Sequence, residues 1–224
     1  MHKEGIYHMK EMSCFKVFLK YSSLNVLGML GLSFYILADT FFVSRALGAD
    51  GLTALNLAIP VYSFINGSGL MLGIGGGTKY SILRSQRNKT KANQVFTNAV
   101  VLTGIIAGIF CLLGIFCSGP LVRMLGANES VFQMTKTYLQ VILLFAPMFM
   151  ANNLLLCFIR NDGNPQLAMT AMICGSLSNV ILDYIFIFPL GMGLFGAAFA
   201  TGLAPVISIL ILSPYLINKK ISFI

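Results

Sequence analysis

Residues 52–76 read LTALNLAIPVYSFINGSGLMLGIGG, residues 79–93 KYSILRSQRNKTKAN, and residues 95–118 VFTNAVVLTGIIAGIFCLLGIFCS. The outer two stretches are apolar runs long enough to cross about 30 Å of hydrocarbon, which takes roughly 20 residues of helix. Backbone polar groups have no water partner in lipid, so a spanning run of this kind is a helix. The middle stretch holds Lys79, Arg84, Arg87, Lys89 and Lys91 and no acidic residue. It is therefore a loop between two spans. Working outward, apolar runs of similar length stand at about 21–43, 138–158, 165–188 and 193–216. The fold class is an all-α membrane protein with six transmembrane helices, flanked by a tail at 1–20 and a short end at 217–224.

Composition agrees, at 57% hydrophobic and 10% charged residues. A soluble domain has about a quarter charged residues, so membrane lipid is the expected surrounding. The N-terminal tail has no small-residue cleavage pattern, and a removable signal peptide is not expected. Net charge is +8, from 15 Lys and Arg against seven Asp and Glu. Their placement is topological. Lys3, Lys10, Lys16, Lys20, the five in 79–93, Arg160, Lys219 and Lys220 fall on one side, and Arg45, Arg123 and Lys136 on the other. Cytoplasmic loops hold the excess, so both ends of the chain are predicted to be cytoplasmic. Nucleic-acid binding would need basic residues among aromatics on a soluble face and is not expected.

Several motifs carry no chemistry. GMGLFG at 191–196 has the letters of a dinucleotide fingerprint but follows a membrane span and a proline, and reads as a turn. GIGGGTK at 73–79 lacks the Gly-Lys-Ser/Thr order of a phosphate loop; its small residues suit close helix contact. Asn88-Lys-Thr and Asn128-Glu-Ser are glycosylation triplets, the first on the cytoplasmic side. Cys14, Cys111, Cys117, Cys157 and Cys174 have neither redox nor zinc spacing, so no disulfide, metal or cofactor is expected. Both histidines, His2 and His8, are in the tail, which leaves no cluster for a membrane enzyme.

Of the acidic residues, Glu4, Glu11, Asp50, Glu129 and Asp162 fall in tails and loops, whereas Asp39 and Asp183 lie inside apolar runs. A carboxylate at membrane depth costs on the order of 3 kcal/mol or more unless it faces a cavity or takes a proton. The plainer reading of Asp39 is that it ends the first helix among the outer headgroups. Asp39 and Asp183 each stand six residues before an exit marker, Arg45 or Pro189, which puts both roughly 9 Å below the outer boundary. Asn179 lies one turn deeper than Asp183 on the same face, and Thr201 reaches about 12 Å on the returning helix. Asp39, Asn179, Asp183 and Thr201 thus describe a site for a proton or a small hard cation such as Na⁺.

The stretches LADTFFVSRALG (37–48), ALNLAIP (54–60), RNDGNP (160–165), SNVILDY (178–184) and FGAAFAT (195–201) occur in an order that resembles the MATE family, the multidrug and toxic compound extrusion transporters. The resemblance, most like the bacterial multidrug branch, runs from about Phe15 to the C-terminus. It implies antiport, in which Na⁺ or H⁺ enters while an organic, often cationic, compound leaves. It also implies that Asp39, Asn179, Asp183 and Thr201 correspond to the family's cation-site residues. A MATE transporter has twelve helices in two lobes, so this chain corresponds to the N-terminal lobe and the second lobe is missing. A partial gene product is the expectation, with a homodimer as the other arrangement.

Pro60, Pro147 and Pro205 lie within the second, fourth and sixth spans, where they kink helices or free carbonyls. Met148, Met150, Asn152 and Asn153 are candidates for a substrate cavity, with lipid-facing filler as the plainer reading of the methionines. Two further functions are open to a six-helix membrane chain. A flippase for lipid-linked precursors needs cations in its cavity, and no Lys or Arg sits mid-span. A non-transporting subunit would be indifferent to neutralisation of Asp39 and Asp183.

Overall fold

The computed structural model describes residues 14–217; most of the tail and all but residue 217 of the end segment, with Lys3, Lys10, Lys219 and Lys220, lie outside the described residues. Within them the elements are α1 (Cys14–Ser85), α2 (Lys89–Phe116), α3 (Ser118–Met124), α4 (Glu129–Leu144), α5 (Ala146–Asn161), α6 (Pro165–Ile187) and α7 (Gly193–Ile217).

α1 has 72 residues, which as one rod would be about 110 Å long, more than three times the hydrocarbon thickness. It is not one rod. Gly48 has φ 63° and ψ −150°, a region essentially reserved for glycine, and there the chain reverses. Tyr35 and Tyr62, 13 residues before and 14 after Gly48, meet hydroxyl to hydroxyl at 2.8 Å, so the limbs 14–47 and 49–85 run antiparallel.

The second limb lies along α5 through a seam of glycines. A Cβ on Gly69 would stand 2.9 Å from Met150 Cα, and one on Gly73 3.1 Å from the Asn153 carbonyl oxygen. Without side chains there, the two backbones approach closely, as small residues allow in membrane helix pairs. The close-contact reading of the glycine-rich run is therefore the one the fold uses.

The run read as one span at 138–158 is a bent pair: α4 and α5 meet at 47° across Phe145. Pro147 is the reason. It has no N–H to return to the carbonyl of Leu143, four residues earlier, and that carbonyl accepts the Cys111 thiol at 3.6 Å instead. By length and composition four helices can cross a membrane, or five if the bent pair is one span. The first of them, Phe18–Ser85, is two crossings once its reversal at Gly48 is recognised, which makes six.

Asparagines start three helices. Asn88 accepts from the Lys91 amide, Asn128 from Val131 and Asn164 from Leu167, the side-chain capping that satisfies first-turn N–H groups. Of residues 191–196, read as a turn, only Gly191 and Met192 lie outside a helix, and Gly193–Gly196 are the first turn of α7. Two apolar clusters hold the bundle. One gathers Val43, Ala58, Ile142 and Ala197 near the Gly48 end, and the other Tyr80, Phe96, Phe158, Ile159 and Leu212 toward the opposite end.

Candidate functional site

Asp39 on the first limb, Asn179 and Asp183 on α6 and Thr201 on α7 are all buried, with Asn179 and Asp183 fully so. The Asn179 amide finds partners when its nitrogen donates to Asp183 Oδ2 at 3.0 Å and its oxygen accepts from the Thr201 amide at 3.2 Å. Asp39 and Asp183 are close enough to act on one another electrostatically, and Tyr138 of α4 feels both. Tyr138 and Thr201 line the same cavity as Asp39. Among the described residues, Asp39 Oδ1 and Asp183 Oδ1 are buried with no hydrogen-bond partner. Among the same residues, no Lys or Arg lines the cavity beside Asp39. The four residues named from depth are thus brought to one place, by two helices running one way and a third returning.

That cavity has a volume of about 240 Å³ and is lined by Asp39, Asn56, Tyr62, Ser63, Tyr138 and Thr201, among others. Pro60 and Pro205 bear on it through the backbone. Each lacks the N–H that would bond the carbonyl four residues earlier, and those carbonyls belong to Asn56 and Thr201. Gly202 is bare, so the Phe145 ring at the α4–α5 bend lies against α7 next to Thr201. Oxygen atoms dominate this donor set, which suits H⁺ or a hard cation such as Na⁺.

A second cavity of about 90 Å³ lies on the side of Tyr35 away from Gly48, lined by Asn66, Asn152, Asn153, Ser176, Pro205 and Ser208, among others. Asn153 donates to Asn66 Oδ1 at 3.0 Å, while Asn152 Oδ1 and Ser208 Oγ have no partner. Of the four substrate-cavity candidates, Asn152 and Asn153 face this space. The two methionines do not. Met150 is fully buried in the core against Gly69, and Met148 is 38% exposed on the bundle surface; Phe149 between them lines the chamber, so the two methionines lie on other faces of α5.

Sequence reading missed the tyrosines. Tyr35 precedes Asp39 by one turn, a spacing that marks a shared face; Tyr138 was placed only as the start of a span. It also left Asp162 in a loop without a partner. Its side chain is 4% exposed and paired with Arg84 at 3.1 Å. It accepts further from Tyr80 at 3.3 Å and Tyr215 at 2.6 Å.

The MatE family model matches residues 26–185. Multidrug export protein MepA of Staphylococcus saprophyticus is 29% identical over 220 residues, 98% of this chain and 49% of the relative. Its counterpart in Staphylococcus aureus is 28% identical over 221 residues, again 98% and 49%. The chain spans about half the length of the curated relatives it matches. Among solved structures, a multidrug resistance MATE family transporter of the MOP superfamily in an outward-facing conformation superposes with a TM-score of 0.84 at 31% identity, covering 90% of this chain and 45% of that one. A MOP superfamily transporter from Pyrococcus furiosus gives 0.84 at 30% identity, covering 92% and 45%. With the all-helical bundle and the length of its apolar helices, these likenesses place the chain: it belongs to the MATE family of membrane transporters.

Proposed function

We propose that this chain is the N-terminal half of a cation-coupled multidrug antiporter of the cytoplasmic membrane, both of its ends being cytoplasmic. Na⁺ or H⁺ enters at Asp39, Asn179, Asp183 and Thr201 while an organic, often cationic, compound leaves. The observation that carries the reading is the pair of buried carboxylates, each with an orphaned oxygen and neither facing a basic side chain. A buried charge without a partner is expensive, and a proton or Na⁺ removes that cost. An ion shifts a two-state equilibrium only through differential affinity, so it favours the helix arrangement that closes the oxygens around it. Pro205, in the helix that carries Thr201, is the flexing point.

The polar chamber with Asn152 and Asn153 offers hydrogen bonds to part of the exported compound, and the rest of its site belongs to the second lobe. That lobe is either the remainder of a longer protein or a second copy in a homodimer. A lipid-linked-precursor flippase fits less well, since among the described residues no Lys or Arg lines either cavity. In a full-length transporter built with this lobe, Asp39→Asn and Asp183→Asn each abolish ion-driven efflux of a fluorescent organic cation while leaving expression intact. An amide keeps the shape but supplies neither the charge for Na⁺ nor a proton site. Undiminished efflux in either variant removes that carboxylate from the mechanism.

A further inference from the structure

The cavity beside Asp39 and the polar chamber share three lining residues, Tyr35, Tyr62 and Thr201. Between the two spaces stands the hydroxyl pair of Tyr35 and Tyr62, 2.8 Å apart and joining the two limbs of α1. Tyr62 is held by Phe149, edge to face at 5.3 Å. On the chamber side, Asn152 Oδ1 and Ser208 Oγ are buried without partners, and on the other side so is Asp39 Oδ1. Orphaned polar atoms lining a polar space large enough for water are satisfied by water. The chamber's 90 Å³ has room for more than one molecule. The titratable groups facing Asp39 are Tyr35, Tyr62, Tyr138 and Asp183.

We propose that the chamber is a hydrated vestibule and that the Tyr35–Tyr62 hydroxyl pair is the proton relay joining it to Asp39. This rests on the reading of Asp39 as a coupling carboxylate and narrows its ion to H⁺. The Asp39 carboxyl gives its proton to one tyrosine hydroxyl, directly or through water in the cavity they share. That hydroxyl passes its own proton across the 2.8 Å contact, and the second passes its own to chamber water. Each O–H bond broken is replaced, so both tyrosines end neutral, Asp39 is left as carboxylate and the water becomes hydronium. Na⁺ has no such route, because it would have to part the hydroxyls.

The test is infrared detection of hydrogen–deuterium exchange at the Asp39 carboxyl, with the full chain in lipid nanodiscs and the band assigned by its loss in Asp39→Asn. Tyr35→Phe and Tyr62→Phe keep the rings and remove the relay. Each should slow exchange by about a hundred-fold, the lower end of what a positioned proton-transfer group contributes. Ser208→Val, which dries the chamber without touching either tyrosine, should slow it as well and guards against a folding defect in the Phe variants. Unchanged exchange in both Phe variants means that the proton leaves by another route and overturns the relay alone. If no carboxyl band is lost in Asp39→Asn at any pH, Asp39 takes no proton, and the proton reading of Asp39 falls with the relay.

Discussion

Asp162 and Asp39 are both carboxylates buried in an apolar bundle, at opposite ends of it, and their surroundings differ in kind. Asp162 ties the end of α5 to Arg84 and Tyr80 on α1 and to Tyr215 on α7, so its charge is matched and both oxygens are bonded. Among the described residues, Asp39 has no basic partner lining its cavity, and its Oδ1 has no hydrogen-bond partner. A bundle can bury charge for stability when it completes the pairing. An incomplete pairing is what the proposed ion site requires: in that proposal the missing partner is the ion.

The largest way to break this contrast is to neutralise each carboxylate in turn. Asp162→Asn leaves Arg84 facing an uncharged amide and should destabilise the chain by about 3 kcal/mol, the loss expected when one partner of a buried pair is removed. Tyr215→Phe deletes one hydrogen bond to the carboxylate and should cost about 2 kcal/mol. Asp39→Asn should change stability by less than about 1 kcal/mol, because no protein interaction of the charge is lost. Thermal unfolding of the chain in detergent micelles measures all three. If Asp39→Asn were the most damaging, the two regions would have been assigned the wrong way round.

A smaller effect tests the packing that holds the two carboxylates in one bundle. The glycine seam binds the second limb of α1 to α5, and Gly69→Ala would press its Cβ to 2.9 Å from the Met150 backbone. Overpacking of that kind costs about 1–3 kcal/mol. Gly67 on the same limb has nothing within 4 Å of its Cβ position, so Gly67→Ala should be neutral or stabilise by up to about 1 kcal/mol of helix propensity. Equal unfolding midpoints for the two variants would mean that the seam is not tight.

Much of this was legible from one sequence because membrane burial is written in runs of apolar residues and in the placement of charge. The break between the second limb of α1 and α2 could be read from the basic run around it, although only 86–88 of the stretch read as a loop lie outside a helix. Asp39 and Asp183 drew notice because each interrupts an apolar run, and helical rise alone put Asn179 and Thr201 at their level. Side chains that look ordinary in an apolar run left no mark. Tyr35, Tyr62 and Tyr138 are half apolar and common in such runs, and only packing shows that their hydroxyls turn inward. Asp162 was missed for the opposite reason: it sits in a short loop between spans, where a charge is unremarkable, and its partners are 53 to 82 residues away. Met148 and Met150 line neither polar cavity, whereas Pro147, read as a kink, stands where the bent pair begins its second helix.

The central claim is that the Asp39 and Asp183 pair is completed by an ion. It is tested most directly by measuring proton release or uptake and ²²Na⁺ binding by the purified chain, beside the Asp39→Asn/Asp183→Asn double variant and Asp162→Asn. The account predicts a cation uptake that the double variant lacks and Asp162→Asn retains, wherever Asp162→Asn remains folded. Equal uptake by the wild-type chain and the double variant would contradict it.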